Sequence, residues 1–121
     1  MPSPRRIEKM NMLIKEELAS FLDREVEFPP GVLVTVTRVH ISPDGQYADV
    51  FTTALGGADH PELDALHILE RHVYDIQQAL NRRLRTRPIP KIRFSIDAEE
   101  LRREAVEKTL AETNPHGTVA K

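Results

Sequence analysis

The sequence predicts an α+β domain with the element order α-β-β-α-β-α. Three observations carry that reading. An apolar stripe of Ile7, Met10, Leu13, Ile14, Leu18, Phe21 and Leu22 recurs at helical steps near the start. A β-branched run from Val32 to Ile41 leads into Ser42-Pro43-Asp44-Gly45, a turn sequence. A second long helical stripe then passes through Arg87-Pro88-Ile89-Pro90 into a strict two-residue alternation.

Each element has a local cause. The first stripe gives an amphipathic helix with charges on its far side. Pro29-Pro30 is expected to stop it, since proline cannot continue the hydrogen-bond ladder, and Gly31 turns the chain. In the following strand the apolar phase moves from even positions (Val32, Val34, Val36) to odd ones (Val39, Ile41), which predicts a β-bulge near Thr37-Arg38. Residues 46–55 pair back as a hairpin strand with Tyr47, Phe51 and Leu55 on one side. Gly56-Gly57 ends the hairpin, and Pro61 suits a first helical position. Leu66, Leu69, Val73, Ile76, Leu80 and Leu84 then mark a long helix, continuous or broken, that reaches about Arg85. The proline passage forces extended backbone. In the third strand Pro90, Ile92, Phe94 and Ile96 alternate with Lys91, Arg93, Ser95 and Asp97. A last helix opens at Asp97 or Ala98, with Asp97 a candidate cap, and runs to about Glu112. We therefore expect one domain over 1–112 and a flexible tail over 113–121.

Composition narrows the function. Apolar residues make up 40% and charged residues 30% of 121, an ordinary globular balance. Cysteine is absent, which excludes disulfides, thiolate metal sites and cysteine nucleophiles. No apolar run approaches the roughly 20 residues a membrane helix needs, and the polar, basic start does not read as a secretory signal. A cytoplasmic protein is expected.

Charge is the most informative feature. The chain carries a net −2, yet residues 82–93 hold six cations and no acid: Arg82, Arg83, Arg85, Arg87, Lys91 and Arg93. Residues 44–70 are the reverse, with six acids and no Lys or Arg. Arg5, Arg6 and Lys9 form a second basic run. One such run is commonly a solvated face or a helix end matched to its dipole. Two basic runs beside one acidic run favour a polyanion-binding surface. Arg forks and Lys point charges suit phosphate groups. The expectation is that the exit of the long helix and the outer side of the third strand form one cationic plate, with Arg5, Arg6 and Lys9 assisting. Aromatic platforms for unpaired bases are few: with two Tyr, four Phe and no Trp, only Tyr47, Tyr74, Phe28 and Phe51 are candidates. Backbone and shape recognition are therefore expected over stacking.

Catalytic and metal chemistry find no motif. The five histidines (His40, His60, His67, His72, His116) include Asp-His pairs at helical spacing but no zinc-protease or finger pattern. Neither a Gly-rich phosphate loop nor a nucleophile elbow is present. We expect no catalytic residue, no metal and no cofactor. An enzyme would instead depend on Asp44, Asp97 or His67.

The chain resembles the bacterial ribosome-binding factor A family over about Arg5 to Leu110. The resemblance rests on Arg5-Arg6 opening the first helix and on the strand Leu33-Val34-Thr35-Val36-Thr37-Arg38-Val39. It continues through Ser42-Pro43-Asp44 with Ala48-Asp49-Val50-Phe51, and through Leu84-Arg85-x-Arg87-Pro88-x-Pro90-x-Ile92-x-Phe94-x-x-Asp97. It implies a type II KH-like fold, a three-stranded sheet covered on one face by helices and without the Gly-x-x-Gly clamp of ordinary KH domains. It also implies a non-enzymatic factor that binds the small (30S) ribosomal subunit and precursor 16S rRNA during maturation and in cold adaptation, here as a monomer. The family commonly has an Ala-x-Gly kink in the long helix, where this chain has His72-Val73-Tyr74; the helix is either straighter here or bent by other means. The competing reading of the same patch is a module that docks an acidic protein.

Overall fold

In the computed structural model, which describes residues 3–100 other than 58 and 86 together with 102–103, the order is α1 (Pro4–Glu25), β1 (Leu33–Ile41), β2 (Tyr47–Leu55), α2 (Pro61–Arg71), α3 (Val73–Arg83) and β3 (Lys91–Ile96). Residues 98–100 and 102–103 are helical as well, so the closing helix opens at Ala98. Its continuation to Glu112 and the tail over 113–121 lie outside the described residues. The sheet order is β1-β2-β3; β1 and β2 pair antiparallel, β2 and β3 parallel. The helices cover one face, giving a type II KH-like domain.

α1 begins where Ser3 Oγ accepts the Arg6 N–H at 3.2 Å, with Pro4 as the first helical residue. It buries Met10, Ile14, Leu18 and Leu22, each contributing about 1.5–3 kcal/mol of apolar burial. It ends at Glu25, earlier than the proline pair suggests. Pro29 and Pro30 lack the N–H groups that the carbonyls of Glu25 and Val26 would need, so the helix stops a turn before them. Val26 turns extended and is itself buried in the core.

The bulge falls where the phase shift places it. Val36 pairs with Thr52 and Arg38 with Phe51, which leaves Thr37 as the extra residue. Val39 and Ile41 then share the core side with Val50 and Ala48. The hairpin turn closes as a small network. Ser42 Oγ donates to Asp44 Oδ1 (2.6 Å) and accepts the Tyr47 N–H (3.0 Å), while Asp44 Oδ1 accepts the Gln46 N–H (3.1 Å). Gly45 takes φ +76°.

The long helix is broken, and without a glycine. His72 sits between α2 and α3 at φ −99°, ψ 1°, the bridge region any residue tolerates. Its N–H and its ring Nδ1–H both donate to the Ile68 carbonyl, at 3.2 and 2.9 Å. The side chain thus caps the end of α2 and helps fix the bend.

β3 is an edge strand, and α3 covers its open side through Gln77. Gln77 Nε2 donates to the Pro90 carbonyl (3.1 Å), and its Oε1 accepts the Ile92 N–H (3.0 Å). Ile92 and Phe94 are buried with Ile76 and Leu80 of α3. Gln77→Ala leaves the Ile92 N–H without its partner and is expected to cost about 1–3 kcal/mol, read as a lower urea midpoint at unchanged m-value.

Candidate nucleic-acid interface

The sheet divides the predicted cationic plate. α3 lies on the core face, and its last turn carries Arg82 and Arg83, both exposed. Arg85 and Arg87 follow, also exposed. Lys91 and Arg93 alternate with buried Ile92 and Phe94 and so leave the opposite face of the sheet. The expectation that all six share one plate therefore does not hold: four sit at the helix exit and two on the outer sheet face. Arg5, Arg6 and Lys9 make a third group, all exposed on the first turns of α1. They lie about 12 to 18 Å along that helix from Glu17, at 1.5 Å per residue.

Several of these cations are engaged internally. Arg83 Nε is 3.7 Å from Glu17 of α1. Arg87 folds back to close the end of α3, donating to the carbonyls of Leu84 (2.5 Å) and Asn81 (2.7 Å). Arg93 Nε donates to Asp49 Oδ1 at 2.9 Å. Arg82, Arg85, Lys91, Arg5, Arg6 and Lys9 are exposed with no carboxylate partner among the described residues. The first turn of α1 contains no acid at all, so its cations stand at the positive end of a helix dipole, where they oppose helix formation and reinforce a positive potential.

The outer sheet face holds two of the four aromatic candidates. Ala48, Val50, Thr52 and Ala54 face the core, which turns Tyr47 and Phe51 to the other side. Arg93 Cζ lies 4.4 Å from the Tyr47 ring centroid, and Arg38 Cζ lies 4.1 Å from that of Phe51. The alternation of β2 contained the signal for both rings; the strand positions of Arg38 and Arg93 above them needed the register.

Asp97 anchors the edge of this face. It is 5% exposed. Thr37, the bulge residue, donates to its Oδ2 at 2.5 Å, and the Glu100 N–H donates to its Oδ1 at 3.1 Å, so Asp97 caps the closing helix. The Thr37 hydrogen bond holds its carboxyl below the ordinary 3.8; burial opposes, and the Glu100 N–H and the Arg38 charge, 3.7 Å away, add to the lowering. The Ser42 hydroxyl, then the Gln46 N–H, likewise lower Asp44. Among the described residues no three His, Asp or Glu side chains gather as metal ligands, and no helix is long and apolar enough to cross a membrane.

Residues 6–110 match the ribosome-binding factor A family. The chain belongs to that family. Among curated relatives, ribosome-binding factor A of Alkalilimnicola ehrlichii is 35% identical over 92 residues, 76% of this chain and 71% of the relative. That of Natranaerobius thermophilus is 34% identical over 109 residues, 90% of this chain and 82% of the relative. The crystal structure of ribosome-binding factor A from Thermus thermophilus superposes with a TM-score of 0.63 at 28% identity, over 74% of this chain and 94% of that one. Coordinates of the T. thermophilus factor fitted into a cryo-EM map of a 30S–RbfA complex superpose with a TM-score of 0.58 at 30% identity, over 70% and 88%. The family shares this fold, so the three cationic groups stand on a scaffold common to ribosome-binding factors.

A carboxyl held below its unfolded value stabilises the fold above that unfolded value. The contribution is lost as pH falls through the lowered folded value. Asp97→Asn should therefore lower the urea midpoint more at about pH 7 than at about pH 3, because the contribution of the ionised carboxyl shrinks once pH falls below the ordinary 3.8. An equal loss at both pH values would assign Asp97 a purely geometric role.

Proposed function

We propose that this chain binds the small ribosomal subunit through its rRNA and holds an immature 16S rRNA conformation during late assembly. It assists processing and growth in the cold, performs no catalysis, and acts as a cytoplasmic monomer. A single domain over residues 1–112 carries this role, with 113–121 as a tail. The supporting observation is the placement of cations that have no carboxylate partner among the described residues. Arg82 and Arg85 leave the α3 exit, Lys91 leaves the sheet, and Arg5 and Arg6, with Lys9 a turn further on, crowd a helix start where the first two are locally unfavourable. A protein selected for stability alone would place acids at that start. The T. thermophilus relative assembles with a 30S subunit, and such a partner presents phosphates in quantity. Arg83, Arg87 and Arg93, though engaged internally, retain exposed guanidinium surface and add to the field that draws RNA in. Holding one rRNA conformation requires tighter binding to immature than to mature subunits.

Arg82→Glu with Arg85→Glu should abolish co-sedimentation with immature small subunits while leaving the circular dichroism spectrum intact. Wild-type binding should weaken steeply with salt, as counterion release requires; a flat salt response would remove the phosphate contacts and with them the RNA reading. Arg5→Glu with Arg6→Glu separates binding from folding. It should raise stability by roughly 0.3–1 kcal/mol per residue through the helix dipole and still weaken subunit binding. A gain in stability with unchanged binding would remove α1 from the interface.

A further inference from the structure

Among the described residues, the outer face of the sheet around Tyr47 and Phe51 is not covered by α1, α2 or α3, although Thr53, further along β2 on the same side, is buried. The face carries Arg38 from β1, Tyr47, Asp49 and Phe51 from β2, and Lys91 and Arg93 from β3. We propose that this face binds single-stranded RNA by stacking unpaired bases on the guanidinium groups of Arg38 and Arg93, each backed by an aromatic ring. The proposal rests on the reading that the partner is RNA, and it names which part of the RNA this face takes.

Each guanidinium has a ring beneath it, at 4.1 Å for Arg38 over Phe51 and 4.4 Å for Arg93 over Tyr47. Each keeps its other side open, with the Arg38 and Arg93 side chains 54% and 55% exposed. Each is steadied by a carboxylate that approaches at Nε, the nitrogen nearest its own strand: Asp49 at 2.9 Å for Arg93 and Asp97 at 3.7 Å for Arg38. A guanidinium fixed between a ring and solvent is a ready stacking plane for a base. Ordering an arginine in advance removes the side-chain entropy that binding would otherwise cost. Exposed pairs of this kind add little to stability, so folding alone does not account for two of them on one open face. Tyr47 and Phe51 lie four residues apart on β2, about 13 Å along the strand, which separates the two planes. Lys91, paired in register with Tyr47, offers a phosphate contact beside the Arg93 plane. Bases stacked inside a duplex have no free face to offer, so the surface selects unpaired RNA.

Tyr47 reports on the proposal directly, because the chain has two tyrosines and no tryptophan. In a Tyr74→Phe background Tyr47 is the sole emitter. Titration with a single-stranded oligoadenylate of about ten nucleotides should quench it, and the oligomer should bind about fivefold or more tighter than a duplex of equal length. Arg38→Lys with Arg93→Lys keeps the charge and removes the planes. It should lower oligoadenylate affinity by about fivefold or more and leave the slope of affinity against salt unchanged. Tyr47→Leu, which alters no charge, should do the same at the Arg93 plane and decides the matter if the double variant does not fold. Equal affinity for duplex and single strand, or lysine and leucine variants that bind as wild type does, would overturn the stacking proposal. If subunit co-sedimentation still depends on Arg82 and Arg85 in that case, the RNA-binding reading stands and stacking alone falls. Binding to neither subunits nor oligonucleotide removes both.

Discussion

The seating of β3 governs how this molecule presents its charge. Ile92 and Phe94 enter the core beside Ile76 and Leu80, and that alone obliges Lys91 and Arg93 to leave by the opposite face. β3 has only one strand neighbour, so its other edge needs a partner. Gln77 supplies one with a side-chain amide that donates to Pro90 and accepts from Ile92, much as a neighbouring strand would. The same helix whose exit carries Arg82 and Arg83 therefore also holds the strand that carries Lys91 and Arg93. Core packing, edge satisfaction and charge placement are one arrangement.

Within it the cations fall into two kinds. Arg83, Arg87 and Arg93 are drawn onto Glu17, onto the end of α3 and onto Asp49, which fixes their positions and reduces their net field. Arg82, Arg85, Lys91 and the cations of the first α1 turns are exposed and have no carboxylate partner among the described residues. An interface with both kinds combines long-range attraction from the free groups with geometric definition from the held ones.

Much of this was readable from the residues. The α1 stripe, the hairpin with its Asp44 turn, the bulge inferred from a change of apolar phase and the two-faced third strand all follow from short-range periodicity, and periodicity survives folding when one face is buried. The misplacements have equally physical origins. α1 ends at Glu25 because hydrogen-bond donors are missing a turn later, at the prolines. The break at His72 depends on an imidazole reaching the Ile68 carbonyl, which no glycine announces. The single cationic plate failed because a sheet lies between residues close in sequence. Asp49 and Arg93 are 44 residues apart, and Thr37 and Asp97 are 60 apart; such pairings exist only once the register is set. The placement of Arg38 over Phe51 and of Arg93 over Tyr47 depends on that register too.

Thr37 carries a consequence beyond its own pair. Were Thr37 paired in a regular ladder instead of bulged out, β1 would keep its first phase to the end. Arg38 and His40 would then point into the apolar layer, and Val39 and Ile41 would face water. A single insertion thus lets the strand keep one wetted side although the parity of its apolar positions changes halfway along. Because the hydroxyl of that same residue grips Asp97, where the closing helix begins, the hairpin and the start of that helix are joined through the defect. Displacing Thr37 therefore also takes away a partner of the carboxylate that caps that helix.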